Sequence, residues 1–230
     1  MVLASALAEL PGYVGEFEKP RYFDYDAALC VHGSRGQHGC SQCLDHCATE
    51  AIRSRGERIE VDPFLCLGCG SCATVCPTGA IGYTAPPGEA LVDSLRGLLR
   101  RYREAGGQNP VVLFHDTEQG HAALEQWGAT MPESVLPVAV EDTGGIGPDV
   151  WLCALAYGAG RVLLAVPRDT PASEQAATNG QLAIARGILE GVGFPADRLD
   201  VVTIGGDETP LAEAPAPLVP EAARFAGLGG

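Results

Sequence analysis

The chain has no long hydrophobic run. Across its 230 residues there is no stretch of about 18 consecutive apolar residues, so the sequence offers no helix that would cross a bilayer. Basic residues are scarce: 15 Lys and Arg stand against 29 Asp and Glu, giving a net charge of −14. Nucleic acid and anionic membrane both need basic patches, and this balance argues against either as a partner. The acidity is uneven, −4 up to Gly88 and −10 beyond it. The opening residues, MVLASALAELPGYVGEFEKP, lack the basic start of a secretory signal. The expected location is therefore the cytoplasm, where disulfides are not expected.

Cysteine is abundant by contrast. There are nine, and eight lie between Cys30 and Cys76. In a cytosolic chain such a cluster points to metal. One run reads Cys66-x2-Cys69-x2-Cys72-x3-Cys76-Pro77. Thiolates at this spacing wrap a short loop around a polynuclear iron–sulfur group. Gly68 and Gly70 let the backbone come close to it. A second run, Cys30-x9-Cys40-x2-Cys43-x3-Cys47, repeats the first. Cys40, Cys43 and Cys47 each precede their counterparts Cys69, Cys72 and Cys76 by 29 residues. Ala48-Thr-Glu-Ala-Ile52 likewise precedes Pro77-Thr-Gly-Ala-Ile81. Only Cys30 is out of step, because loop 31–39 (VHGSRGQHG) is longer than its counterpart. An internal repeat of this length implies pseudo-twofold symmetry. The competing metal is zinc. It would use four of these cysteines and leave four unexplained. His38 and His46 neighbour the ligands and are read as facing solvent.

Residues 21–85 resemble the double-cluster bacterial ferredoxins. The resemblance implies an α+β ferredoxin-like module (βαββαβ) holding two [4Fe–4S] clusters, with the fourth ligands crossed. One cluster would take Cys30, Cys40, Cys43 and Cys76. The other would take Cys66, Cys69, Cys72 and Cys47. Two departures stand out: Ala48 replaces the proline usual after the fourth cysteine, and loop 31–39 is long. Ile59 and Val61 fit one short strand of the module, and Ile81 and Tyr83 another. His32, Arg35 and His38 make the long loop a basic spot beside the first cluster.

The rest of the chain has a different rhythm. Residues 1–20 read as a leader arm, and a Pro/Gly break follows residue 84. Residues 89–105 carry apolar residues at helical spacing. Strands are then expected at 110–116, 134–142, 161–167 and 199–205, with helices at 118–128, 149–160 and 173–193. Apolar strands alternating with helices imply a small open parallel α/β sheet over 89–205. The tail, 206–230, reads as an Ala/Pro-rich linker.

This second part resembles the delta-subunit family of methyl-viologen-reducing hydrogenases. The resemblance rests on Gly144–Gly160, Arg161–Val166 and Asn179–Leu189. That family holds a [2Fe–2S] cluster here, but its ligand cysteines are absent. Only Cys153 remains, on an apolar helix face, so a core role and no cluster is expected. Turn 143–149 (TGGIGPD) follows a strand and opens a helix, which is where α/β sheets bind phosphate. It is only a partial G-x-G-x-x-G, with Val150 in the third glycine's place, so a plain helix-opening turn is the leading account and Asp169 the candidate ribose ligand of the other. His115, Asp116 and His121 are candidates for an acid–base site, with strand-end polar residues as the plainer account.

Together these features describe an iron–sulfur electron-transfer protein or subunit, more a carrier than an enzyme. The resemblance implies partners of the formate dehydrogenase, hydrogenase or heterodisulfide-reductase type. The alternative is an oxidoreductase that binds a nucleotide or flavin at 143–149 and is fed by the clusters.

Overall fold

A computed structural model of the chain describes residues 14–15, 18–34 and 37–205. Most of the expected leader arm and all of the expected tail lie outside these residues. Among the described residues no helix is long and apolar enough to cross a membrane.

The cysteine-rich segment is built from short pieces. They run β1 (Phe23–Tyr25), a small hairpin of β2 (Gly33–Ser34) and β3 (Gln37–His38), α1 (Gln42–Asp45), β4 (Ile52–Arg55), β5 (Arg58–Val61), α2 (Ser71–Thr74) and β6 (Ile81–Tyr83). The β2–β3 hairpin apart, the order is strand, helix, strand, strand, helix, strand. β1 pairs antiparallel with β6, placing Phe23 opposite Tyr83, and β4 pairs with β5, placing Ile52 opposite Val61. The sequence repeat is also a structural one. α1 and α2 start 29 residues apart, and so do β4 and β6. The apolar core here is small: Phe23, Ile52, Ile59 and Ile81 are buried, with Tyr25, Val61 and several cysteines against them.

From Gly88 the chain makes a layered α/β structure. α3 (Gly88–Glu104) buries Leu91, Leu95 and Leu99, one face at a spacing of four. Glu89 in its first turn and Arg101 and Arg103 in its last complement the helix dipole. There follow β7 (Val111–Asp116), α4 (Gln119–Trp127), β8 (Val135–Val140), α5 (Pro148–Ala156), β9 (Arg161–Pro167), α6 (Ala172–Gly191) and β10 (Leu199–Ile204). The four strands form one parallel sheet in the order β10-β9-β7-β8. β7 and β9 are central and buried on both faces, which explains their unbroken apolar runs. Val112, Phe114, Val162 and Leu164 face a core shared with α3, α5 and α6. Leu113, Leu163 and Ala165 face the opposite way, toward Ala123 and Trp127 of α4. Helices thus cover both faces, and the chain reverses direction across the sheet between β7 and β9.

Several boundaries shift by one to four residues from the sequence expectation, and two of the shifts have a visible cause. β8 stops at Val140 instead of running to Asp142. The Asp142 carboxylate accepts the Gly144 N–H at 2.8 Å and turns the chain into a tight 3-10 turn, Thr143–Gly145. α5 ends at Ala156, not 160. Gly158 lies at φ +105°, outside the helical region, which stops the helix early.

Candidate metal centre

The eight clustered cysteines line two pockets. Cys30, Cys40, Cys43 and Cys76 line the first, between apolar walls that include Ile59, Ala80 and Ile81. Cys47, Cys66, Cys69 and Cys72 line the second, with Ala51, Ile52, Val61 and Leu67. Each pocket therefore draws three cysteines from one repeat and one from the other. α1 and α2 carry this exchange: each begins just before its third cysteine and releases the fourth on its far side. Cys30 reaches the first pocket across the long loop, held by a Cys40 N–H to Val31 O bond of 3.1 Å.

Both pockets offer soft donors. Among the described residues no three His, Cys, Asp or Glu side chains converge closely enough to hold a single metal ion. The four sulfurs of each set line one pocket. A lone zinc ion needs thiolates about 2.3 Å away on every side, closer than these sulfurs converge, so a polynuclear group fits the two sets better. Four thiols per pocket is a donor set shared by zinc and iron–sulfur clusters, and the wide spacing of the sulfurs favours the cluster.

The electrostatics tell the same story. Burial pushes the Cys43 thiol up to about 11, with Cys40 adding to it. Burial, then the nearby Glu174 carboxyl, pushes Cys69 up to about 12. Cys72 is raised further, by burial and by its cysteine neighbours. Cys76 is opposed by burial, yet backbone hydrogen bonds from Ile81, Thr78 and Ala80 hold it below the ordinary value. Apolar burial of this kind keeps thiols protonated, so binding as thiolates requires a cation that displaces the protons.

The second pocket has one wall from outside the cysteine segment. Glu174, in the first turn of α6, lines it and is 9% exposed. Burial raises its carboxyl above the ordinary range, partly offset by a hydrogen bond with Cys69. No motif in the sequence marks Glu174; its neighbourhood is set by packing. That packing centres on the turn Thr143–Gly145. Gly70 sits at φ +77°, and a Cβ there would collide with the Gly145 backbone. A Cβ on Gly145 would come within 2.6 Å of the Tyr83 ring. The Tyr83 hydroxyl donates to Gly68 O at 2.7 Å, and Thr74 Oγ1 donates to Gly144 O at 3.3 Å. The glycine-rich turn thus seats the cysteine loop, and protein fills the place where the alternative reading put a phosphate.

Several other sequence candidates fall elsewhere. His32 is not a surface base: it is 5% exposed, with Nδ1 at 2.8 Å from Cys40 O and Nε2 at 2.7 Å from Ser54 Oγ. It ties the long loop to β4. Arg35 lies outside the described residues. His46 is half-buried, lines the second pocket, and places Nδ1 2.9 Å from Gln42 O. His115 is buried beside its neighbour's carbonyl, Asp116 O, whereas His121 is exposed and faces Glu125. Asp116 caps α4 through the N–H groups of Glu118 and Gly120. The three make no common site. Asp169 accepts from Gln119. Cys153 is half-buried and not part of the core, because it lies at the edge of the buried face of α5.

Comparison with known proteins bears on the same stretch. A family model for the 4Fe-4S dicluster domain matches residues 38–80, leaving Cys30 just outside. Hydrogenase-4 component A of Escherichia coli (strain K12) is 46% identical over 46 residues, 19% of this chain and 22% of that protein. Indolepyruvate oxidoreductase subunit IorA of Methanothermobacter marburgensis is 43% identical over 42 residues, 18% of this chain and 7% of that one. The chain thus spans less than a quarter of the length of either relative. An uncharacterised ferredoxin of Methanocaldococcus jannaschii is 40% identical over 43 residues, 18% of this chain but 69% of that protein. Through its cysteine-rich segment the chain belongs to the [4Fe–4S] dicluster ferredoxin family.

Proposed function

We propose that the chain is an electron-transfer protein or subunit holding two [4Fe–4S] clusters in a two-cluster ferredoxin-like module of residues 21–85. Cys30, Cys40, Cys43 and Cys76 would ligate one, and Cys47, Cys66, Cys69 and Cys72 the other. The observation that carries the reading is the grouping of the eight cysteines into two four-thiol pockets, each drawing on both repeats. When bound, a [4Fe–4S] cluster supplies one-electron chemistry and no bond making. The chain's own part is to hold the thiolates and keep bulk water from the sulfurs with Ile59, Ile81, Ile52 and Val61. The α/β part, 89–205, serves as the platform that fixes the module against a redox enzyme complex. A hydrogenase, a formate dehydrogenase or another oxidoreductase is the kind of partner proposed; two of the relatives are named as parts of such enzymes.

The test is iron and acid-labile sulfide on anaerobically purified protein. About eight of each per chain are expected; about four, or stoichiometric zinc, overturns the reading. Cys76→Ser should then disturb the cluster on Cys30, Cys40 and Cys43, and Cys47→Ser the other. Resonance spectra of each variant distinguish the two. A Cys76→Ser protein with an intact first-pocket cluster would disprove the crossing.

A further inference from the structure

Phe64 and Leu67, the two most exposed apolar side chains among the described residues of the cysteine segment, flank Cys66, ahead of Leu29 at 50% and Val31 at 44% beside Cys30. Phe64 is 80% exposed, Leu67 73% and Leu65 40%. They are held out and not merely loose. Asp62 accepts the Phe64 N–H at 2.9 Å and its carbonyl accepts the Cys66 N–H at 3.1 Å, while Lys19 Nζ donates to Phe64 O at 2.7 Å. A fixed apolar projection beside a ligand is a poor use of surface unless something covers it.

A crevice adjoins this projection. It opens at the carboxyl ends of β7, β8 and β9, where the sheet reverses direction, a position where open α/β sheets bind what they bind. Leu67, Gly68 and Glu174 line both this crevice and the second cysteine pocket. One residue's thickness therefore separates the two. The crevice walls carry six carboxylates and no Lys, Arg or His. Glu118 and Glu141 among them are exposed and make no side-chain hydrogen bond or ion pair with any of the described residues. An apolar rim over an acidic hollow is complementary to an apolar patch carrying Lys or Arg.

We propose that the redox partner docks here, at the second cysteine pocket, and not at loop 31–39. The occupant is a protein surface with an apolar centre and a basic side chain that enters the crevice beside Leu67. The inference rests on the electron-transfer reading above. It places the partner's redox centre next to Cys66 and Cys69.

The test uses the full chain, loaded with iron, reduced by dithionite and freed of it by gel filtration under argon. The probe is ferricytochrome c, a basic redox protein, which takes one electron per molecule from the reduced chain. Stopped-flow rates are measured across a salt series. Phe64→Ser should slow the second-order rate about fivefold, and Glu118→Lys with Glu141→Lys about tenfold at low salt, flattening the salt dependence. Two controls should stay within about twofold of wild type: Ile184→Ser, an exposed apolar residue of α6, and Glu190→Lys, about 24 Å along that helix from Glu174. Iron content verifies that each variant is intact. Unchanged rates in both crevice-side variants, at full iron, overturn the docking surface. A wild type that binds iron but reduces no cytochrome c at any salt overturns the electron-transfer reading, and the surface with it.

Discussion

Asp142 shows how much a single carboxyl can carry at the seam between the cysteine segment and the sheet. It caps the turn Thr143–Gly145 from a mostly buried position, and burial raises its carboxyl to about 7. The unfolded chain would release that proton near the ordinary value of 3.8. Between those two values the folded form holds the extra proton, so folding loses stability as pH rises from about 4 to about 7. Asp142→Asn keeps the oxygen that Gly144 needs and removes the charge. Its gain over wild type should be larger at pH 8 than at pH 5 by roughly 1–3 kcal/mol, read from denaturant unfolding. An equal gain at both values would show that the carboxyl does not titrate in that window. At this scale the sequence was most legible for the cysteines. Their spacing is local, and a local loop can wrap a group without help from the rest of the chain. Glu174 and the burial of His32 were not legible, because each depends on a contact with a distant segment.

Among the elements, α2 and the turn Thr143–Gly145 form the joint. Thr74 and Gly144 are 70 residues apart in the chain, and no periodicity encodes such a meeting. The sequence pattern was enough for the strands and helices themselves. β9 matches its expected range, 161–167, because its five central residues are apolar and buried on both sides. The turn left two readings open because a glycine-rich stretch between strand and helix has one appearance whether phosphate or protein lies against it. The joint can be tested by filling it. Gly145→Ala pushes a methyl group into the Tyr83 ring and should cost about 1–3 kcal/mol. It should also speed chelator-driven iron loss, since Tyr83 holds the Gly68 carbonyl beside the second pocket. Tyr83→Ala in the same chain should remove much of the added cost of Gly145→Ala. Strictly additive effects would mean the ring and the glycine are not coupled.

Over the whole molecule, stability is divided unequally. The cysteine segment has four buried apolar side chains at its centre, whereas the sheet is backed by two continuous cores. The first should depend on bound metal for its fold. Both tryptophans, Trp127 and Trp151, are buried in the sheet part at 4% and 1% exposure. Their fluorescence therefore reports on the sheet alone. Adding an iron chelator should bleach the cluster absorbance and reduce the circular dichroism of the short elements, while tryptophan emission stays unshifted. A red shift that tracks the bleaching would mean that the two parts unfold as one.

The turn at Gly145 also has a bearing on which half of the repeat can lengthen. It seats one half only. An extra residue between Cys66 and Cys72 would run into the Gly145 backbone, which already leaves Gly70 no space for a side chain. In the matching loop of the other half, Gly33 packs against Glu57 of the β4–β5 turn and His32 bonds Ser54 of β4. The seven residues by which the Cys30–Cys40 interval exceeds its counterpart sit there. The stretch from Cys66 to Cys72 is held to a fixed length, and a tag, a label or a tether grafted there would push the cysteine loop off its seat.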